Sequence, residues 1–283
     1  MKAIKRFAIL TLALVSATSM WAQYRYGYFK AGISTGPTNY LGDLDDDLTF
    51  KFTKGGFGAD ISYRMNPYMT WRLNFNYGWA RAADSVSSNE ARNRRNLHFR
   101  TPIMEISNQI VLDFIPSDRS FAYRPAYTPY MFGGIGIFSF NPQAQLNGQW
   151  YDLQPMGTEG QFLPNPTGNN PAPYKLTQIC FPMGVGARFA LSRHIDLEIE
   201  TGFRKTFTDY LDDVSGLYPD LDALRAQNPV AAILSDRIDR SQFPQGAAVV
   251  NGIRGDRTQS DWYIYTCARL TYIIDWVRCP TFR

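Results

Sequence analysis

The chain has 283 residues and a formal net charge of +4, to which Lys2, Lys5 and Arg6 near its start contribute. The near-neutral remainder offers no basic excess for neutralising phosphates, which argues against nucleic acid as a main partner. Aromatic residues make up 15% of the chain beside 22 Gly and 17 Pro, a mixture that favours strands and tight turns over helices.

Residues 1-22 combine a basic start, an apolar run from Phe7 to Val15 and a small or polar stretch ending at Ala22. This pattern reads as a secretory signal peptide, since the apolar run is too short to span a bilayer as a helix. The remaining 23-283 reads as one domain, and its longest uncharged stretch, Pro125 to Tyr151, is broken by Pro129, Gly133, Gly134, Gly136 and Pro142. Cys180, Cys267 and Cys279 have no metal-type spacing and read as small buried residues.

Period-two alternation dominates this domain. After a weaker strand at about 26-34, Phe57, Ala59, Ile61, Tyr63 and Met65 alternate with Gly58, Asp60, Ser62 and Arg64. Beyond the Asn66-Pro67 turn, Met69, Trp71, Leu73, Phe75, Tyr77 and Trp79 share one face, with Arg72, Asn74 and Asn76 on the other. Weaker strands follow at about 102-114 and 127-140. Ile179 to Phe189 then alternates with Gly184, Gly186 and Arg188, and Ile195, Leu197 and Ile199 alternate with Asp196, Glu198 and Glu200 before a last strand at 260-274. Eight such strands predict an all-β fold: an antiparallel transmembrane β-barrel with long extracellular loops at 35-54, 81-101, 141-176 and 209-259. Short connections alternate with these loops, as they do in barrels whose termini lie on the periplasmic side.

The polar edges carry Lys30, Arg64, Arg72, Arg188, Arg204 and Arg269 against Asp60, Glu105, Asp113, Asp196, Glu198 and Glu200. A small barrel has room inside only for side chains, so these charges are expected to pair into a plug that blocks conduction. Tyr26, Tyr28, Trp71, Trp79, Tyr127, Tyr130, Trp262, Tyr263, Tyr272 and Trp276 are expected to form two interfacial girdles.

In the last long loop, Leu217, Leu221, Leu224, Val230, Ile233, Leu234 and Ile238 have helical spacing interrupted at Asn228-Pro229, which predicts short helices over the mouth. The acidic runs Asp43, Asp45, Asp46, Asp47 and Asp209, Asp212, Asp213 suit Ca²⁺ by ligand type but lack a calcium-loop spacing, so they read as solvated or helix-capping faces. Arg92, Arg94, Arg95 and Arg100 offer phosphate contacts, with a solvated loop patch as the default reading. Neither His98 nor His194 sits in a nucleophile-base pattern, and neither enzymatic activity nor a cofactor, metal or small-molecule substrate is expected.

The strings at 40-44 (Tyr40, Gly42, Asp43), 95-100 (Arg95, Asn96, Arg100), 153-161 (Gln154, Pro155, Gly157, Glu159) and 206-215 (Thr208, Asp209, Asp212, Asp213), with those at 140-142 and 148-151, resemble the PorG family. That family comprises small outer-membrane barrels of the type IX secretion and gliding machinery. The resemblance spans about residues 26 to 274 and implies a non-enzymatic component, exported by its signal peptide to the bacterial outer membrane. It further implies partnership with outer-membrane lipid and with the periplasmic ring of PorK and PorN, met through the short turns, 115-126 and the tail from Arg278 to Arg283. The alternative is a surface barrel for adhesion or ligand binding through the long loops.

Overall fold

The computed structural model describes residues 27–45, 51–117, 121–164, 170–241 and 252–274. The proposed signal peptide, Tyr26, Asp46, Asp47, Trp276, Cys279 and the tail lie outside them.

The strands are β1 (Phe29–Leu41), β2 (Lys54–Arg64), β3 (Met69–Ala83), β4 (His98–Asp113), β5 (Tyr127–Phe140), β6 (Gln143–Leu146), β7 (Gln149–Asp152), β8 (Thr177–Ala190), β9 (Ile195–Thr206) and β10 (Trp262–Ile274). The helices are α1 (Glu90–Arg95), α2 (Leu221–Gln227) and α3 (Pro229–Ser235). Eight strands close antiparallel into a barrel: β3-β2-β1-β10-β9-β8-β5-β4, with β3 pairing back onto β4, while β6 and β7 extend above the rim from β4.

Alternation decides which face is which, and the result is the inverse of a soluble protein. Ile33, Phe57, Ile61, Ile106, Ile137 and Val185 lie on the outside, each more than half exposed, while Lys30, Asp60, Arg72, Glu105 and Glu200 are buried inside. Such a band would be costly in water; lipid suits it, and closure leaves no unpaired strand edge in the hydrocarbon. Barrel strands such as β2 (11 residues) and β4 (16 residues) meet or exceed the roughly 9–11 residues a tilted strand needs to cross.

The connections 65–68, 114–126 and 191–194 fall at one end, which we call the short-turn end, and 42–53, 84–97, 141–176 and 207–261 fall at the other, although 114–126 is about as long as 42–53. The long loops are shorter than the alternation implied at three places. β1 runs on to Leu41, β3 to Ala83 and β4 begins at His98, because these residues pair in register above the apolar band. Loop 141-176 holds the β6-β7 hairpin, turned by Asn147 (φ 51°) and Gly148 (φ 83°). An Asn-Gly pair with both residues at positive φ matches the twist of a two-residue hairpin.

The helical spacing in the last loop resolves into α2 and α3. Asn228 ends the first and caps the second, its side chain accepting from the N–H groups of Val230 and Ala231. Two girdle assignments are corrected. Tyr130 and Tyr263 are almost fully buried on the inward face, because each lies one residue out of phase with the lipid-facing set of its strand.

Candidate functional site: the plugged lumen and its cap

All twelve lumen charges picked out by alternation are buried. Register brings them together: Glu198 on β9 lies opposite Arg188 on β8 and Arg269 on β10. Its carboxylate meets Arg188 Nε at 2.7 Å, Lys30 Nζ at 3.3 Å, Arg269 Nη1 at 3.7 Å and Arg72 Nη1 at 3.9 Å. Around this hub, Arg72 reaches Glu200 at 2.7 Å, Arg269 reaches Asp60 at 3.2 Å, and Arg204 reaches Glu105 at 3.1 Å. Lower down, Asp113 accepts from Arg188 at 2.8 Å and from Arg64. Taking so many charges from water is costly and is offset only when each has partners, a condition this lattice of neighbours meets.

One participant escaped the alternation because it stands in a turn. Arg124 enters from the short-turn end, pairs with Asp196 at 2.6 Å and donates to the carbonyls of Phe121, Ser192 and Arg193 at 2.7, 2.7 and 2.8 Å. It thereby seals the bottom of the lumen and ties turn 114–126 to turn 191–194. Ser117 N–H donates to the Pro67 carbonyl at 2.9 Å, so all three short connections are joined.

Above the plug, an aromatic layer separates lumen from cap. Phe138, Phe140, Tyr174 and Tyr210 form a column with successive centroids 5.4, 6.3 and 4.5 Å apart, and Phe99 meets Tyr40 edge-on at 4.9 Å. The cap over this layer is polar. Glu159 accepts from the N–H groups of Ser215 and Gly216 at 2.9 and 3.0 Å and pairs with Arg254 at 3.0 Å. Asp213, in left-handed backbone at φ 67°, accepts from Tyr174 at 2.6 Å, from Thr158, and faces Arg254 at 3.7 Å.

Here a sequence expectation is overturned. Asp212 and Asp213 are no solvated face; they are about 1% and 0% exposed. Tyr40 Oη lies 2.7 Å from an Asp212 oxygen and 2.8 Å from an Asp261 oxygen. One hydroxyl has one proton to donate, so the second contact requires a protonated carboxyl that donates to the tyrosine oxygen. Burial, then repulsion from Asp43 on Asp212 and from Asp212 and Asp209 on Asp261, pushes both well above the usual carboxylate range. Burial also lifts Asp209 to about 9 and Asp213 to about 6. Gly42 leaves room for this pair, since a Cβ there would stand 2.0 Å from Asp261 Oδ1 and 2.1 Å from Tyr40 Oη.

The other loop-string residues take supporting places. Arg95 is no solvated patch: it grips Asp84 through Nε (2.7 Å) and Nη2 (2.8 Å) and donates to the Asp43 carbonyl at 3.1 Å. Asn96 ends α1 in left-handed backbone at φ 56°. Gln154 donates to the Tyr174 carbonyl at 3.2 Å and starts a 3-10 turn that holds Pro155 and is closed by Gly157 at φ 63°, and the Thr208 carbonyl accepts from Asp261 N–H at 3.0 Å. Arg100 points outward from β4. Asp84, Tyr174, Arg254 and Asp261 belong to the cap and were not singled out from the sequence; they stand singly in or beside loops, where no periodicity marks them.

Among the described residues no group of three or more His, Cys, Asp or Glu is arranged to hold a metal ion. His98 accepts from Gln145 N–H at 3.0 Å at the long-loop rim, and His194 stacks on Tyr272 at the opposite end. Cys180 and Cys267 are buried and unpaired.

A family model described as a domain of unknown function, DUF6089, matches residues 5–155. The chain belongs to that family. The DUF6089 match extends through β7 and the first residues of the 153-161 string; the 206-215 string lies beyond it. No curated protein matches the chain. Among solved structures it is similar to Neisserial surface protein A, with a TM-score of 0.42 at 9% identity over 86% of this chain and 96% of that one. It is also similar to Ail, the attachment invasion locus protein of Yersinia pestis, in complex with the heparin analogue sucrose octasulfate (TM-score 0.39, 9% identity, 88% and 99% covered). A third is a major outer membrane protein from Thermus thermophilus (TM-score 0.40, 12% identity, 88% and 99% covered).

Proposed function

We propose that this DUF6089 protein is a non-enzymatic outer-membrane component of the type IX secretion machinery, which docks the periplasmic PorK-PorN ring through its short-turn end. The observation that carries the reading is that the two longest PorG-like strings meet. Glu159 of one accepts the backbone N–H groups of Ser215, the last residue of the other, and of the adjoining Gly216, and Thr158 donates to Asp213. Residues far apart in sequence that lock together make one structural unit, and the two longest of the strings that carry the resemblance gather in it, which supports a cap shared with that family.

The short-turn end has the form a docking surface needs. Arg124 fixes two turns to each other, and Tyr123 on the same turn is 74% exposed. An ordered platform with a projecting aromatic loses little entropy on binding. In this orientation the cap faces outward and the plug makes the barrel an anchor rather than a conduit.

Affinity capture of the tagged protein from membranes of a type IX-competent cell tests the reading. PorK and PorN are expected in the eluate at stoichiometric yield; clean recovery of the folded barrel without either contradicts it.

A further inference from the structure

The long-loop rim of β3 and β4 holds cations that pair with no carboxylate among the described residues. Arg81 and Arg100 are directly opposite in register on the outward face. Like charges so placed repel each other across a sheet. Among the described residues neither forms an ion pair. The Arg100 guanidinium lies over the Trp150 ring at 3.5 Å and faces Trp79 at 5.7 Å, with Nε donating to Gln143 at 3.0 Å, while Arg81 lies over Phe52 at 5.5 Å. The hairpin carboxylate Asp152 accepts from Asn141 and Gln143 at 3.0 and 2.7 Å and from neither arginine. Arg237 adds a third positive charge, donating to the Gln145 carbonyl of the same hairpin at 2.8 Å, and burial lowers its pKa with no carboxylate offsetting the effect. The neighbouring loop differs, because there Arg95 is matched by Asp84 and Arg94 by Glu90.

Position and geometry together define the missing partner. Below Arg100 on the same face of β4 come Pro102, Met104 and Ile106, the last two exposed members of the lipid-facing band. The arginines therefore sit just above the hydrocarbon, at the level of lipid headgroups, with tryptophan at the boundary. Stacking uses the guanidinium faces and leaves the remaining in-plane N–H groups for an anion that presents two oxygens to them, as a phosphate does.

We propose that Arg81 and Arg100 together bind the phosphate of an anionic outer-leaflet glycolipid of the lipid A type. This rests on the outer-membrane reading above, with the long-loop end outside.

The test uses the full mature chain folded into phosphatidylcholine vesicles containing bisphosphorylated lipid A, followed by native mass spectrometry of the extracted barrel. Wild type is expected to retain lipid A. Removing the phosphates from the lipid, or making the Arg81→Gln/Arg100→Gln double variant, should lower retention by roughly tenfold or more. Arg193→Gln at the opposite end should leave it unchanged. Equal retention by the double variant, or of the dephosphorylated lipid, overturns the assignment. So does displacement of lipid A by inorganic phosphate at low concentration, which would reveal a free-anion site. If the double variant does not fold, Arg100→Gln alone serves, with the same expected direction and the same overturning result. Fractionation placing the protein outside the outer membrane would instead overturn the reading on which this rests.

Discussion

The lumen and the cap are both buried polar networks, yet they balance their charge differently. In the lumen six strand-borne cations, joined by Arg124 from a turn, face six carboxylates, and register places opposite signs on neighbouring strands, as with Glu198 between Arg188 and Arg269. In the cap, among the described residues, Asp84, Glu159, Asp212, Asp213 and Asp261 are buried with Arg95 and Arg254 as ion-pair partners, and buried Asp236 pairs with Arg240. The lumen is neutralised by side chains, whereas the cap needs protons. The cap is therefore expected to lose stability as pH rises.

The largest effect that would break this contrast is loss of the lumen hub. Glu198→Ala leaves Arg188, Lys30, Arg269 and Arg72 crowded without their shared carboxylate. Equilibrium urea unfolding in vesicles should show a loss of about 3–5 kcal/mol. A loss near zero would mean that water, rather than the ion lattice, fills the lumen.

In the cap, Arg254→Ala removes the cation facing Glu159 and Asp213. A local penalty of about 1–3 kcal/mol is expected, seen as faster amide exchange at 157–160 and 211–216 with β1 to β5 unaffected. Gly42→Ala should cost a similar or smaller amount, about 1–3 kcal/mol, by displacing the Asp261 carboxyl and the Tyr40 hydroxyl that stand 2.0 and 2.1 Å from the new Cβ position.

The pH dependence sharpens the comparison most finely. Asp209 and Asp213 have folded pKa values raised to about 9 and about 6, and Asp212 and Asp261 are raised as well. The folded cap then binds more protons than the unfolded chain. Its stability is greatest below the ordinary carboxylate range and falls as pH rises, first through about 6 and then toward about 9. Amide exchange corrected for its intrinsic pH dependence should accelerate in 207–217 between pH 5 and pH 9. Tyr40→Phe deletes the hydroxyl that bridges the two acids, and should bring the onset of cap opening to lower pH.

The same contrast explains what the sequence made legible. Strand alternation exposes every inward charge because its period is fixed, so the lumen set could be read directly from Asp60, Arg64, Arg72 and their counterparts. Where a strand was weakly patterned, phase was lost, and Tyr130 and Tyr263 were assigned to the lipid face although they point inward. The cap has no period. Its acids became interpretable only through chain segments brought together by the fold: Tyr40 with Asp212 and Asp261, and Glu159 with Ser215 and Arg254. The β6-β7 hairpin did carry a local signal, Asn147-Gly148 between short alternating runs, which the reading of 141-176 as a plain loop passed over.

Site-specific photo-crosslinking in living cells tests the central claim most directly, by placing the same photoreactive residue at Tyr123 on the short-turn end and at Phe162 in the cap, both exposed positions. Docking through the short-turn end predicts crosslinks to PorK or PorN from Tyr123 and none from Phe162. Ring crosslinks from Phe162 alone, or from neither position in cells that assemble the ring, would contradict it.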